Sequence, residues 1–167
     1  LVELLIVVGI IGILSAITVL VINPSILNKV RVPTAASDQR RLQGAAVLYR
    51  NDVGFYPPDV DRGCDPGFAK ALPYSPDPEP DCTAKPGTYP SDWITRVQNN
   101  WRGPYIVNWP QNTSWNGKYD YNHWPSVKNR SGCSVPAGIY IGVQGDYSDQ
   151  NTIPASAEQL MLDRGLD

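Results

Sequence analysis

Apolar and polar positions are shared very unevenly along this chain. From Leu4 to Ile22 no side chain carries a charge, and Glu3 stands immediately before that run. At about 1.5 Å per residue, a helix of this length spans roughly the hydrocarbon core of a bilayer. A second periodic segment follows. Ala35, Leu42, Ala45, Ala46, Leu48 and Tyr49 form an apolar stripe near helical spacing, with Asp38, Arg40, Arg41 and Arg50 mainly on the other side. Thr34 or Ser37 supplies its N-cap. Asn23-Pro24 and Val32-Pro33 are expected to interrupt the helix, because proline removes a helix hydrogen bond and clashes with the preceding turn. Gly54, followed by Pro57-Pro58, ends it.

Beyond Asp59 the pattern changes. Residues 57–92 are rich in proline and aspartate and read as loop. Trp93 to Val97 reads as a short helix or strand. Asn116-Gly117 is a turn pair, and Lys118 to Asn122 alternates as a strand after it. Gly138 to Val143 reads as the next strand, and Ala155 to Leu166 as a short C-terminal helix. The expected fold class is therefore α+β: a long, kinked N-terminal α-helix packed on a small antiparallel β-sheet head with long loops, of about three or four strands. Residues 1–22 form the apolar helix, 23–54 its amphipathic continuation and 55–167 the loop-rich head.

Composition sharpens this division. The chain has 167 residues, enough for one domain and an anchor. Mean hydropathy is −0.27 in spite of the apolar start, so the remainder is strongly polar. The net charge of −2 gives no bulk electrostatic footprint for nucleic acid. Cys64, Cys82 and Cys133 fit an oxidising compartment better than a metal site, since no Cys-x-x-Cys occurs and His123 stands alone. Cys64 and Cys82 bracket a loop with little structure of its own and are the first choice for a disulfide, with Cys64–Cys133 and Cys82–Cys133 as alternatives. Closing such a loop removes about 3 kcal/mol of unfolded-chain entropy in the simple model.

Glu3 is costly next to hydrocarbon. A carboxylate at a helix centre costs about 2.5–3.5 kcal/mol on insertion scales, and less at the end of a span. A charge kept there needs a partner. The run also has neither the basic flank nor the Ala-x-Ala cleavage site of a secretory signal peptide.

Catalysis finds no constellation. The single histidine has no serine and carboxylate in a triad pattern, and no glycine loop ends in Gly-Lys-Ser/Thr. The acidic loop residues Asp59, Asp61 and Asp65 lack EF-hand spacing and read as solvated charge. Every Trp, Tyr and Phe lies from Tyr49 onward. Trp93-Arg96, Trp101-Arg102 and Lys118-Tyr119 would suit base stacking, but such rings also serve as the core of a small head. Asn112-Thr113-Ser114 and Asn129-Arg130-Ser131 make Asn112 and Asn129 glycosylation candidates, although such triplets arise by chance.

Four regions of the chain carry a family resemblance. Leu1-Val2-Glu3-Leu4-Leu5 and Ile10-Ile11-Gly12-Ile13-Leu14-Ser15-Ala16-Ile17 resemble the N-terminus of type IV pilins and pseudopilins, whose pattern is Phe-Thr-Leu-x-Glu-Leu followed by an apolar run. Leu48-Tyr49-Arg50-Asn51-Asp52-Val53-Gly54-Phe55-Tyr56-Pro57 resembles the Leu-x-x-Tyr-x-x-Asp-x-Gly-x-Tyr-Pro signature that closes their long helix. Trp101-Arg102-Gly103-Pro104-Tyr105-Ile106 resembles a segment common in minimal pilin heads. Trp115-Asn116-Gly117-Lys118-Tyr119-Asp120-Tyr121 is similar to a strand of the type II secretion major pseudopilin, with Thr113-Ser114 in place of Asp-Pro.

The resemblance implies a pilin fold and a structural role, not an enzyme. The subunit would wait in the inner membrane by its apolar helix. A prepilin peptidase would cleave and methylate it, and an assembly machine would extract it into a helical homopolymer, an extracellular type IV pilus used for attachment, twitching motility or contact with DNA or a host surface. Glu3 would pair with the N-terminal amine of a neighbouring subunit and set register. Gly9 and Gly12 would permit close helix approach, and with Pro24 local melting. The alternative is the major pseudopilin of a type II secretion system. That relative ends in an acidic calcium loop, and Asp146 and Asp149 fall at the matching place without its Asp-Gly pair. No cofactor is expected, and calcium at those two residues is the one candidate.

Overall fold

The computed structural model describes residues 2–21, 24–73, 82–130, 133–145 and 152–165. Its elements are α1 (Val2–Val21), α2 (Pro24–Val53), α3 (Trp93–Asn100), β1 (Asn116–Trp124), β2 (Lys128–Arg130), β3 (Cys133–Val135), β4 (Gly138–Gly145) and α4 (Ala155–Leu162). The fold is α+β, with an N-terminal helix and two antiparallel strand pairs, β1–β4 and β2–β3. The chain divides into two compact units, Leu1–Thr34 with Ile153–Asp167, and Ala35–Thr152.

In the first unit, α1 is apolar all round rather than striped. Glu3 lies in its first turn, where a negative charge complements the helix dipole. Among the described residues no helix is long and apolar enough to cross a membrane. The α1 backbone itself continues helical to Val21. Near α4, the Asn28 amide Nδ2 donates to Ser156 Oγ at 3.0 Å, and Asn28, Val32 and Ala157 are buried.

Pro24 is the first residue of α2, a position where the missing N–H would have no helical partner anyway. Asn23, the other residue of the expected first interruption, lies outside the described residues. Pro33 does not interrupt α2, contrary to expectation: the helix continues from Pro24 to Val53. An interior proline costs about 3 kcal/mol, so other terms must hold the turn. Burial of Val32, Ala35 and Ala36 around the proline is one. Gly54, at φ +90°, ends α2 as expected, its N–H bonding to Arg50 O at 2.8 Å.

The second unit is built on an aromatic core. Leu42, Ala45, Ala46, Tyr49 and Val53 of α2 join Phe68, Trp109, Tyr119, Tyr121 and Ile141 in one buried cluster. Leu48, expected on that stripe, is 52% exposed. At about 100° per residue it sits about 120° round the helix from Leu42, whereas Tyr49 and Val53 return to the same side. β1 pairs with β4 from Trp124↔Gly138 back to Asn116↔Gly145, with a register shift between Asn116 and Tyr119. Asn116 takes φ +59° there, and a Cβ on Gly117 would overlap the backbone of Gln144 and Gly145. The turn pair thus forms a bulge at the start of β1, not a hairpin loop. The short β2–β3 pair was not expected, because its three-residue strands carry no alternating signal.

Candidate functional site

Two places hold chemistry that the fold alone does not explain. The first is the beginning of α1. Every described side chain from Val2 to Ser15 is exposed, Leu4 by 70%. Glu3 is exposed and makes no ion pair among the described residues. A Cβ on Gly9 or Gly12 would meet nothing within 4 Å, so nothing among the described residues calls for glycine at either position. A helix apolar on all sides is ordinarily buried in a core, a bundle or a bilayer.

The second place is in the head. Asp59 is not solvated charge as expected; it is only 5% exposed. Its backbone N–H donates to Thr88 Oγ1 at 3.0 Å, and its Oδ2 accepts the His123 N–H at 3.2 Å. Its Oδ1 lies 2.7 Å from the Lys85 ammonium, which also reaches Asp61 at 3.4 Å and donates to Val60 O at 3.2 Å. Burial alone would lower the Lys85 pKa, but the Asp59 and Asp61 carboxylates outweigh it and raise the value. Lys85 is thus the counter-charge of both Asp59 and Asp61. The long stretch of chain between them hides it from any local motif.

Asp65 departs from the solvated reading for a different reason. Its two oxygens accept the N–H groups of Gly67, Phe68, Ala69 and Lys70 at 2.7–3.2 Å. Burial still pushes its carboxyl above the ordinary range, against the pull of those four amides. The Asp-Pro-Gly turn at 65–67 was the available signal. Asp120 is likewise raised by burial, and its Oδ2 accepts Gln144 Nε2 at 3.0 Å.

Cys64 and Cys82 are joined in a disulfide with Cα atoms 5.5 Å apart, which excludes both alternative pairings of these cysteines. Asn112 and Asn129 are exposed. Asp146 and Asp149 lie outside the described residues. Among the described residues no group of three or more His, Cys, Asp and Glu is placed to hold a metal. The rings of Trp93 and Tyr119 are buried, so these two of the three basic–aromatic pairs present no stacking face. Trp101 donates through its indole Nε1 to Gly67 O at 2.9 Å.

No protein-family model, curated protein or solved structure matches this chain.

Proposed function

We propose that this chain is a type IV pilin-like subunit that polymerises through its N-terminal helix into an extracellular filament. The observation that carries the reading is α1: an apolar helix whose side chains are exposed from Val2 to Ser15, headed by one carboxylate with no ion pair among the described residues. Such a surface needs either a bilayer or other helices. Burying a Leu or Ile contributes roughly 1.5–3 kcal/mol, so a bundle of such helices can offset departure from lipid. Glu3 then acts through specificity more than stability, since a lone buried charge tolerates only the register that brings it a partner. Gly9 and Gly12 fit close approach by a neighbouring helix, which would use the open space at both positions. In this reading α1 and α2 are the two halves of a long, kinked pilin helix, and the loop-rich head faces solvent on the filament.

The test is Glu3→Ala, compared with the parent by electron microscopy of material sheared from the cell surface. Thin filaments from the parent, with the variant inserted in the membrane but unpolymerised, are the expected result. Equal filament yield from both would remove the register role. Parent protein confined to the envelope would instead favour a secretion pseudopilin or a monomeric anchor.

A further inference from the structure

The β1–β4 sheet has one edge closed by its own chain and one edge open. On β1, the Gly63 N–H donates to Tyr119 O at 2.9 Å and the His123 N–H donates to Asp59 Oδ2 at 3.2 Å. Tyr119, Tyr121 and His123 therefore turn their backbone groups away from β4. In an antiparallel pair the residues opposite them turn theirs outward as well. Those residues are Val143, Ile141 and Ile139. Among the described residues one bond reaches them on that side, from Gln39 Nε2 to Ile141 O at 3.0 Å. The N–H groups of Ile139, Ile141 and Val143 and the carbonyls of Ile139 and Val143 have no partner there. An open edge is a template for another strand, and chains ordinarily blunt it with charge, proline or a short strand. β4 is 8 residues long and carries neither a charge nor a proline.

We propose that this edge pairs antiparallel with the same edge of a second copy of the chain. The pattern is self-complementary. Centred on Ile141, the pairing sets Ile141 opposite its own counterpart and Ile139 of one copy opposite Val143 of the other. Each residue then gives its N–H and accepts on its C=O. Ile141 O keeps the Gln39 bond and takes the new one on its second lone pair. Charge favours this occupant. Self-pairing of an uncharged strand sets no like charges opposite each other. The charges flanking the strand in sequence are basic before it, Lys128 and Arg130, and acidic after it, Asp146 and Asp149. The antiparallel direction therefore brings unlike ends together. The result is one continuous sheet in the order β1–β4–β4–β1. Such a two-fold pair closes on itself, unlike the head-to-tail contacts of a filament, so this inference does not rest on polymerisation.

Amide hydrogen exchange of the full chain in detergent, read by NMR at two protein-to-detergent ratios, tests it. Tyr140 and Gly142 face β1 and should be protected at both ratios, which reports the fold. Expected at Ile139, Ile141 and Val143 is protection that rises about ten-fold or more at the higher ratio. Val143→Pro removes an outward N–H that no bond within the chain uses, a change an edge strand tolerates. It should abolish the gain at Ile139 and Ile141 and leave Tyr140 and Gly142 protected. A mixed sample of labelled and unlabelled parent gives a reading without any variant: contacts between Ile139 of one copy and Val143 of the other are expected. Fast exchange of the three amides at both ratios, or absence of those cross-copy contacts, would overturn the pairing. So would equal protection at both ratios, which means that the chain covers its own edge, or a gain that survives Val143→Pro.

Discussion

Tyr119 of β1 donates through its hydroxyl to Asp38 Oδ2 of α2 at 2.8 Å, joining residues 81 apart in sequence. The other oxygen of that carboxylate takes Arg41 at 3.0 Å, so one aspartate serves the helix surface and the sheet together. Burial, and then Asp38, push the Tyr119 phenol well above its ordinary pKa, with Arg41 opposing. Tyr119→Phe keeps the buried ring and removes only the hydrogen bond. It should cost about 1–2 kcal/mol, a value for a bond to a partly solvated charge. A urea melt followed by near-ultraviolet circular dichroism measures this. An unchanged midpoint would mean the pair contributes nothing. In a double-mutant cycle with Asp38→Ala, the two changes should be less than additive.

The Cys64–Cys82 bridge closes a loop with a sequence separation of 18. Replacing both cysteines by serine should destabilise the protein by about 3 kcal/mol, mainly through a less constrained unfolded chain. Thermal melts with and without a reductant test it. The parent should shift downward on reduction, and the double serine variant should not respond.

Tyr105 provides a pH prediction. Its hydroxyl donates to Asp52 Oδ2 at 2.9 Å and accepts the Arg102 N–H at 3.1 Å. Burial raises the phenol pKa most, the Arg102 amide lowers it and Asp52 raises it, leaving it pushed up to about 12. The folded state therefore favours the neutral phenol. Its contribution to stability is fully present below the ordinary phenol value near 10 and is lost as pH rises through about 12. The difference in 295 nm absorbance titration between the parent and Tyr105→Phe reports this group directly. Asp52→Asn should move that difference to lower pH.

Local pattern made much of this protein legible. The boundary at Gly54 followed from a glycine before paired prolines, and β1 and β4 from their composition. The apolar α1 was visible as an uncharged run. These features depend on neighbours in sequence, where period, propensity and turn chemistry act. Pro33 was misread because the cost of an interior proline is local, whereas the burial around it is not. Leu48 was misplaced by counting apolar residues without resolving their angle on the helix.

The sequence by itself determined that an uncharged apolar helix follows Glu3 and that every aromatic ring lies from Tyr49 onward, available to the core of the head. Those follow from residue types and spacing alone. Only the tertiary structure decided which acidic residues are solvated. Asp59 gains Lys85 and the His123 amide, and Asp65 gains four backbone donors, only once the loop has folded. A cavity beside Asp59 has the same origin. Its lining comes from the 85–88 turn and the end of β1, which no spacing rule relates. Burial and long-range partners set the chemistry of a charge, and both exist only after the chain has closed on itself.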